Sequence, residues 1–92
     1  MPVEITNEEY SVPWQGVTYE ANFYGHRYPC LVAIHHLKMK ISKEALAEFR
    51  TRLAEVERAT EAILRQAEVE IVTGRRKSGE RVIVPLETGY GR

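Results

Sequence analysis

The sequence predicts an α+β fold in which an antiparallel sheet of two hairpins, in the order β-β-α-β-β, packs on one long central helix. Residues 42–67 repeat apolar side chains at alternating spacings of three and four, as on one side of an amphipathic helix. The segments before and after it alternate apolar and polar residues, which is typical of half-buried strands. A chain of 92 residues makes one domain, so we interpret residues 1–92 as a single domain.

The first hairpin is predicted within residues 16–35. Residues 17–23 and 28–34 each place their apolar side chains on one face. A two-residue turn at Gly25-His26 would put Pro29 in a hydrogen-bonded pair that proline cannot complete. We therefore expect a four-residue loop, residues 24–27, which pairs Phe23 with Tyr28 and leaves Pro29 at an open edge. Residues 1–15, which precede the hairpin, are expected to form an N-terminal arm with Trp14 packed onto the domain.

The long helix is predicted over residues 42–67, with Ser42 as its N-cap. At about 1.5 Å per residue it spans roughly 39 Å, whereas a seven-residue strand spans about 23 Å. One small sheet cannot cover this length, so either the helix bends or breaks, or the C-terminal strands or a second copy of the chain bury the surplus. The candidate interaction residues form the apolar side of the helix, here called the helix seam: Leu46, Phe49, Leu53, Val56, Thr60 and Ile63.

The second hairpin is predicted over residues 69–86, with strands at 69–73 and 81–86 and a flexible tail at 87–92. The loop between the strands is basic, and it could contact phosphates through Arg75, Arg76, Lys77 and Arg81. The alternative is a solvated turn that keeps the hairpin soluble, and we favour it.

Composition excludes several classes of protein. Thirteen basic residues balance thirteen acidic ones, which argues against a generally basic nucleic-acid binder. The single cysteine cannot form an intramolecular disulfide and suits a reducing compartment. We see neither a signal-peptide pattern nor an apolar run approaching the roughly twenty residues of a membrane span. We therefore expect a cytoplasmic protein without membrane contacts.

Catalytic and metal chemistry find little support. All the acidic residues are glutamates, so an Asp-containing triad cannot form. The residues with metal-binding chemistry, His26, Cys30, His35 and His36, alternate between strand faces or lie in a loop and do not converge. Cys30 is expected in the core, where a thiolate is disfavoured. We therefore predict no enzyme, no metal and no cofactor.

Several residues also resemble a known family. They are Trp14, V-T-Y-E-A at 17–21, Gly25, Cys30, Leu37, and Phe49, Arg52, Val56 and Ala59 on the helix, followed by a closing strand. Over roughly residues 9–86 this pattern resembles the small bacterial proteins of domain-of-unknown-function family 1488. The basic loop near the C-terminus departs from that pattern. The resemblance implies a small α+β protein, and it supplies no catalytic residues because the family has no established activity.

These observations predict a non-enzymatic protein-interaction module that binds another protein or self-associates as a homodimer through the helix seam or a sheet edge. The alternative is weak binding of nucleic acid or an anionic surface by the basic loop at residues 74–81. A salt-dependent affinity that disappears when the loop is removed would distinguish the alternative from the first prediction.

Overall fold

The fold is α+β, as predicted, in a computed structural model that describes residues 3–33, 44–77 and 79–86. Three strands come first, then two helices and a short strand: β1 (Val3–Ser11), β2 (Gly16–Phe23), β3 (His26–Ala33), α1 (Ala45–Thr51), α2 (Leu53–Val72) and β4 (Val82–Ile83). The strands lie side by side in chain order. β1, β2 and β3 are antiparallel, whereas β4 runs parallel to β3, so the sheet is mixed. The predicted antiparallel sheet of two hairpins was therefore wrong.

β1 replaces most of the predicted N-terminal arm. Its register against β2 shifts between Thr6 and Glu9, which marks a β-bulge. Asn7 in this bulge has a φ of 58°, a left-handed conformation that asparagine tolerates better than most residues. The extra residue interrupts the alternation of apolar and polar side chains, so the sequence did not show the strand.

β2 and β3 lie close to where the sequence places them, but their register differs by two residues. Phe23 pairs with His26 across a two-residue turn at Tyr24-Gly25, where both residues have positive φ. Counting from this closing pair, Pro29 falls in a non-hydrogen-bonded pair with Glu20, so its nitrogen faces away from β2. A shift of two residues leaves every side chain on its predicted face, because the strand period is two.

The predicted helix at 42–67 is two helices, and the second is longer than expected. The break falls at Arg52, whose φ of −101° and ψ of 25° are not helical. α2 then runs to Val72 and absorbs the strand predicted at 69–73. Half-buried Ile71 packs against the core, so a tertiary contact overrides the strand preference of this β-branched stretch. Ser42, the predicted N-cap, lies outside the described residues.

A Schellman motif ends α2 at Gly74, the first glycine after the helix. Gly74 has a φ of 80°, its N–H donates to the Ile71 carbonyl at 3.1 Å, and the Arg75 N–H donates to the Glu70 carbonyl at 2.7 Å. The chain then returns to the sheet beside β3 rather than folding back as a hairpin. Of the strand predicted at 81–86, only Val82 and Ile83 pair with β3. The predicted hairpin at 69–86 was therefore wrong, and the tail at 87–92 lies outside the described residues.

The core lies between the sheet and the two helices. The Tyr19 and Phe49 rings pack with centroids 5.1 Å apart, and Tyr19 Oη lies 2.7 Å from Thr60 Oγ1. Cys30 is fully buried on the same face. Among the described residues, every buried side-chain nitrogen or oxygen has a hydrogen-bond partner. Neither α1 nor α2 has the combination of length and apolar composition needed to cross a membrane.

Candidate interaction groove and open sheet edge

The helix seam lies against the sheet of its own chain. Phe49, Val56 and Thr60 are fully buried, and the other three seam residues, Leu46, Leu53 and Ile63, are half-buried against the core or beside it. Leu64, which the predicted seam omitted, is fully buried as well. Because the break at Arg52 fits the helices to the sheet, no fully exposed length of seam remains within residues 44–67. The seam therefore acts first as the internal core of one chain.

The basic loop is a helix-to-strand connection, not a hairpin tip, and two of its four cations already have partners. Arg76 Nε lies 2.9 Å from Glu70 Oε1, and its Nη1 lies 3.6 Å from Glu80 Oε1. The Arg76 hydrogen bond is the main reason why the pKa of Glu70 lies below its usual value. Arg81 Nη1 donates to the Cys30 carbonyl at 3.1 Å.

Trp14, expected to pack onto the domain, instead remains about half exposed. The guanidinium carbon of Arg81 lies 5.2 Å from the centre of its ring, a distance suited to a cation–π contact. Arg81 thus links the β1–β2 turn to the start of β4. A side chain held in this way is not free to reach a phosphate.

Arg75 and Lys77 are exposed, and both follow the C-terminus of α2. Positive charge at this end of a helix complements the partial negative charge of the last carbonyl groups. The run of basic residues therefore has a structural explanation that needs no anionic partner.

Among the described residues, a groove lies elsewhere, between the start of β3 and the end of α2. Its volume is about 490 Å³. The sequence prediction assigned no binding role to the residues that line it: His26, Arg27, Tyr28, Glu68, Ile71, Val72 and Gly79. The only sequence signal is the run of β-branched residues at 69–73, which is more apolar than an exposed helix end requires. Val72 is 86% exposed at the rim.

An open strand edge lies beside this groove. β4 pairs with β3 only at Cys30 and Leu31, so the described residues provide no partner strand for residues 26–28. Because His26 and Tyr28 pair with β2, Arg27 and Pro29 point their main-chain groups away from it. The edge thus offers the N–H and carbonyl of Arg27, whereas the Pro29 carbonyl already faces the Val82 N–H of β4. A short extended segment could form hydrogen bonds with the two Arg27 groups.

The groove and the open edge carry charges of opposite sign. Tyr28 Oη donates to Glu68 Oε2 at 3.4 Å, and burial, followed by the nearby Glu68 charge, raises the pKa of Tyr28. Arg27 Nε lies 3.8 Å from Glu20 Oε1, and both side chains are exposed, so their attraction is weak. The groove wall carries a carboxylate, whereas the open edge carries a cation that is only weakly paired.

Nucleophilic chemistry is not favoured at the one cysteine. Burial raises the pKa of the Cys30 thiol to about 12, although nearby Arg81 acts in the opposite direction. Within residues 3–33, 44–77 and 79–86, no three His, Cys, Asp or Glu side chains are placed to hold a metal ion. His35 and His36, considered as metal ligands above, lie outside these ranges.

Comparison with known proteins supports the fold. No family model and no curated protein sequence matches this chain. A crystal structure of a protein of unknown function from the DUF1488 family of Shewanella loihica PV-4 matches with a TM-score of 0.62 and 16% sequence identity. The match covers 94% of this chain and 96% of that one. The resemblance to domain-of-unknown-function family 1488 that was drawn from the sequence is therefore confirmed in the fold.

Proposed function

We propose that this chain is a small non-enzymatic protein-interaction module whose binding surface combines the groove with the open edge of β3. The observation that carries the proposal is the unpaired main chain at Arg27 beside a groove with exposed Val72 at its rim. Proteins that recognise extended peptides often add them as a strand to an exposed edge, with pockets for alternate side chains. Both parts of such a site lie side by side here.

The partner we propose is another protein. Two copies of this edge would pair poorly, because Pro29 has no N–H to donate to its counterpart. The homodimer expected from the helix seam remains a prediction, which light scattering over a concentration series would test. The free Cys30 thiol supports a place in the reducing cytoplasm.

The proposal is tested by selecting peptides from a random displayed library on the immobilised chain. Selected peptides are then measured against Val72→Glu and against a matched control, Ala62→Glu. Both positions are exposed on α2, and ten residues of helix separate them by about 15 Å. We expect Val72→Glu to weaken binding at least about tenfold, because it places a charge at the rim of the apolar groove. Binding that survives Val72→Glu, or no selected peptide at all, would contradict the proposal.

Anion binding by the basic loop is a second candidate. Arg75 and Lys77 favour it, because they are exposed and no salt bridge between described residues includes them. A labelled single-stranded oligonucleotide at low salt is the probe. Under this candidate, Arg75→Glu with Lys77→Glu should abolish an affinity that falls steeply with salt. If the wild-type chain has no affinity at low salt, the candidate fails.

A further inference from the structure

We infer that the groove and the open edge of β3 select an extended segment in which an acidic side chain stands between two apolar ones. This inference rests on the function proposed above and names the chemistry of its partner. It follows from the alternation of side chains along a strand and from what lies on each face of residues 26–28.

The main-chain hydrogen bonds fix the alternation. A segment that pairs with the N–H and carbonyl of Arg27 continues the sheet beyond β3. Its successive side chains then point to opposite faces, in step with those of β3. The two positions beside His26 and Tyr28 face the helix side, where the groove lies, and the position between them faces the outer side with Arg27.

The groove side favours apolar residues. Ile71 and Val72 from α2 and the ring of Tyr28 from β3 supply its apolar lining. Glu68 stands in the same wall and accepts from Tyr28. A second carboxylate placed there would be repelled by Glu68 and would lose its hydration, so the groove discriminates against acidic side chains.

The outer side favours an acidic residue. The Arg27 side chain is 73% exposed, and its contact with Glu20, at 3.8 Å, is longer than a hydrogen-bonded ion pair. An acidic side chain on the added strand, directly beside Arg27, would make a cross-strand pair of opposite charge. A basic side chain there would meet a like charge instead.

The test uses short fluorescein-labelled peptides in which valine alternates with glutamate, serine or lysine. Fluorescence anisotropy should rank the affinities glutamate, serine, lysine, with about fivefold between the first two. Arg27→Glu should reverse the order, and Arg58→Glu, at an exposed helix position outside the groove, serves as a control that makes the same change of charge. In ¹⁵N spectra, the Arg27 amide should exchange more slowly when the glutamate peptide is bound.

The outcomes separate the two claims. If all three peptides bind with equal affinity, bind more weakly to Val72→Glu and do not respond to Arg27→Glu, the charge preference is wrong and the interaction groove stands. If binding ignores both Val72→Glu and Arg27→Glu, or if no peptide binds, the proposed function fails and the inference fails with it. Binding that leaves Arg27 amide exchange unchanged would overturn strand addition.

Discussion

The two edges of the sheet differ in length, charge and surroundings. β1 forms one edge over nine residues, and it carries a bulge together with Glu4, Glu8 and Glu9. The opposite edge is covered by β4 at Cys30 and Leu31 and is open at residues 26–28, where it contains no acidic residue and borders a groove. Bulges and charged side chains are common means of keeping an edge strand from pairing with other chains. The long edge is thus protected, and the short one is the edge at which we propose that a partner binds.

Under the proposed function, the length of an open edge does not decide whether it binds. Side chains beside the edge must also give a partner something to contact. At β1, Glu8 lies 3.6 Å from Arg50 of α1, so it is already paired within the chain. Beside the open part of β3, Val72 of α2 is exposed on the helix side of the sheet, and Arg27 of β3 is exposed on the outer side.

The largest expected effect concerns the helix seam. The comparison of the two edges requires that one chain buries this seam by itself. Phe49→Ala removes a fully buried ring packed on Tyr19, so we expect a loss of about 3–5 kcal/mol in the free energy of unfolding. Urea denaturation followed by circular dichroism measures it. A loss that depends on protein concentration would show that a second chain shares the seam, which would contradict our comparison.

The next largest effect concerns the β-bulge that protects β1. Asn7→Val places a β-branched residue at a φ of 58°, which should cost about 1–3 kcal/mol in unfolding free energy. Asn7→Gly is the matched control, since it also removes the side-chain hydrogen bond to Glu20 and tolerates that φ. Equal stabilities of the two variants would show that the bulge conformation does not constrain this edge.

An effect of similar size appears at high pH, at the point where β4 covers β3. The Cys30 thiol has its pKa raised by burial to about 12, whereas the unfolded thiol loses its proton near pH 9. Between these values the unfolded chain binds fewer protons, so stability falls as pH rises, by about 1.4 kcal/mol per pH unit. The pKa of Tyr19, also raised by burial, adds to this loss above about pH 10.

Urea midpoints measured from about pH 8 to about pH 11 test this prediction, with Cys30→Ala as the variant that lacks the thiol contribution. Its stability should fall less steeply over the first part of that range. Rapid reaction of the native wild-type thiol with an alkylating reagent near pH 8 would contradict the burial on which the argument depends.

The smallest expected effect sharpens the contrast between binding and stability. Val72→Glu should change the unfolding free energy by no more than about 0.5 kcal/mol, because the side chain is exposed and contributes little to packing. Thermal unfolding of Val72→Glu, compared with that of Ala62→Glu, measures this change in stability. A large destabilisation would mean that Val72 stabilises the fold, and the proposal that it is exposed for a partner would lose its basis.

Some features followed from the sequence because they depend on neighbours along the chain. The alternation at 17–23 and 28–33 predicted two strands and their buried faces, and the register error of two residues left those faces intact. The three-four spacing predicted helix through most of 45–67 and the burial of Phe49, Val56 and Thr60. Local periodicity is enough for these features.

The sequence predicted an open edge at Pro29, but the groove beside this edge did not follow from it, because the parts of the groove are distant in the chain. The groove joins residues 26–28 to 68–72 and Gly79, and no local pattern relates them. The prediction named the helix seam or a sheet edge, with the basic loop as the alternative. The seam and the loop show strong local patterns, whereas the structure gives each of them contacts within the chain.

By itself, the sequence determined the α+β class, two central strands with their inner faces, and the helical apolar seam. Only the tertiary structure decided that β1 joins the sheet, that α2 extends to Val72, that β4 is parallel to β3, and where an open edge meets a groove. Side-chain period is a property of a single segment, so a sequence records it directly. Strand partners, helix ends and grooves depend on contacts between segments far apart, and these contacts can override local preference.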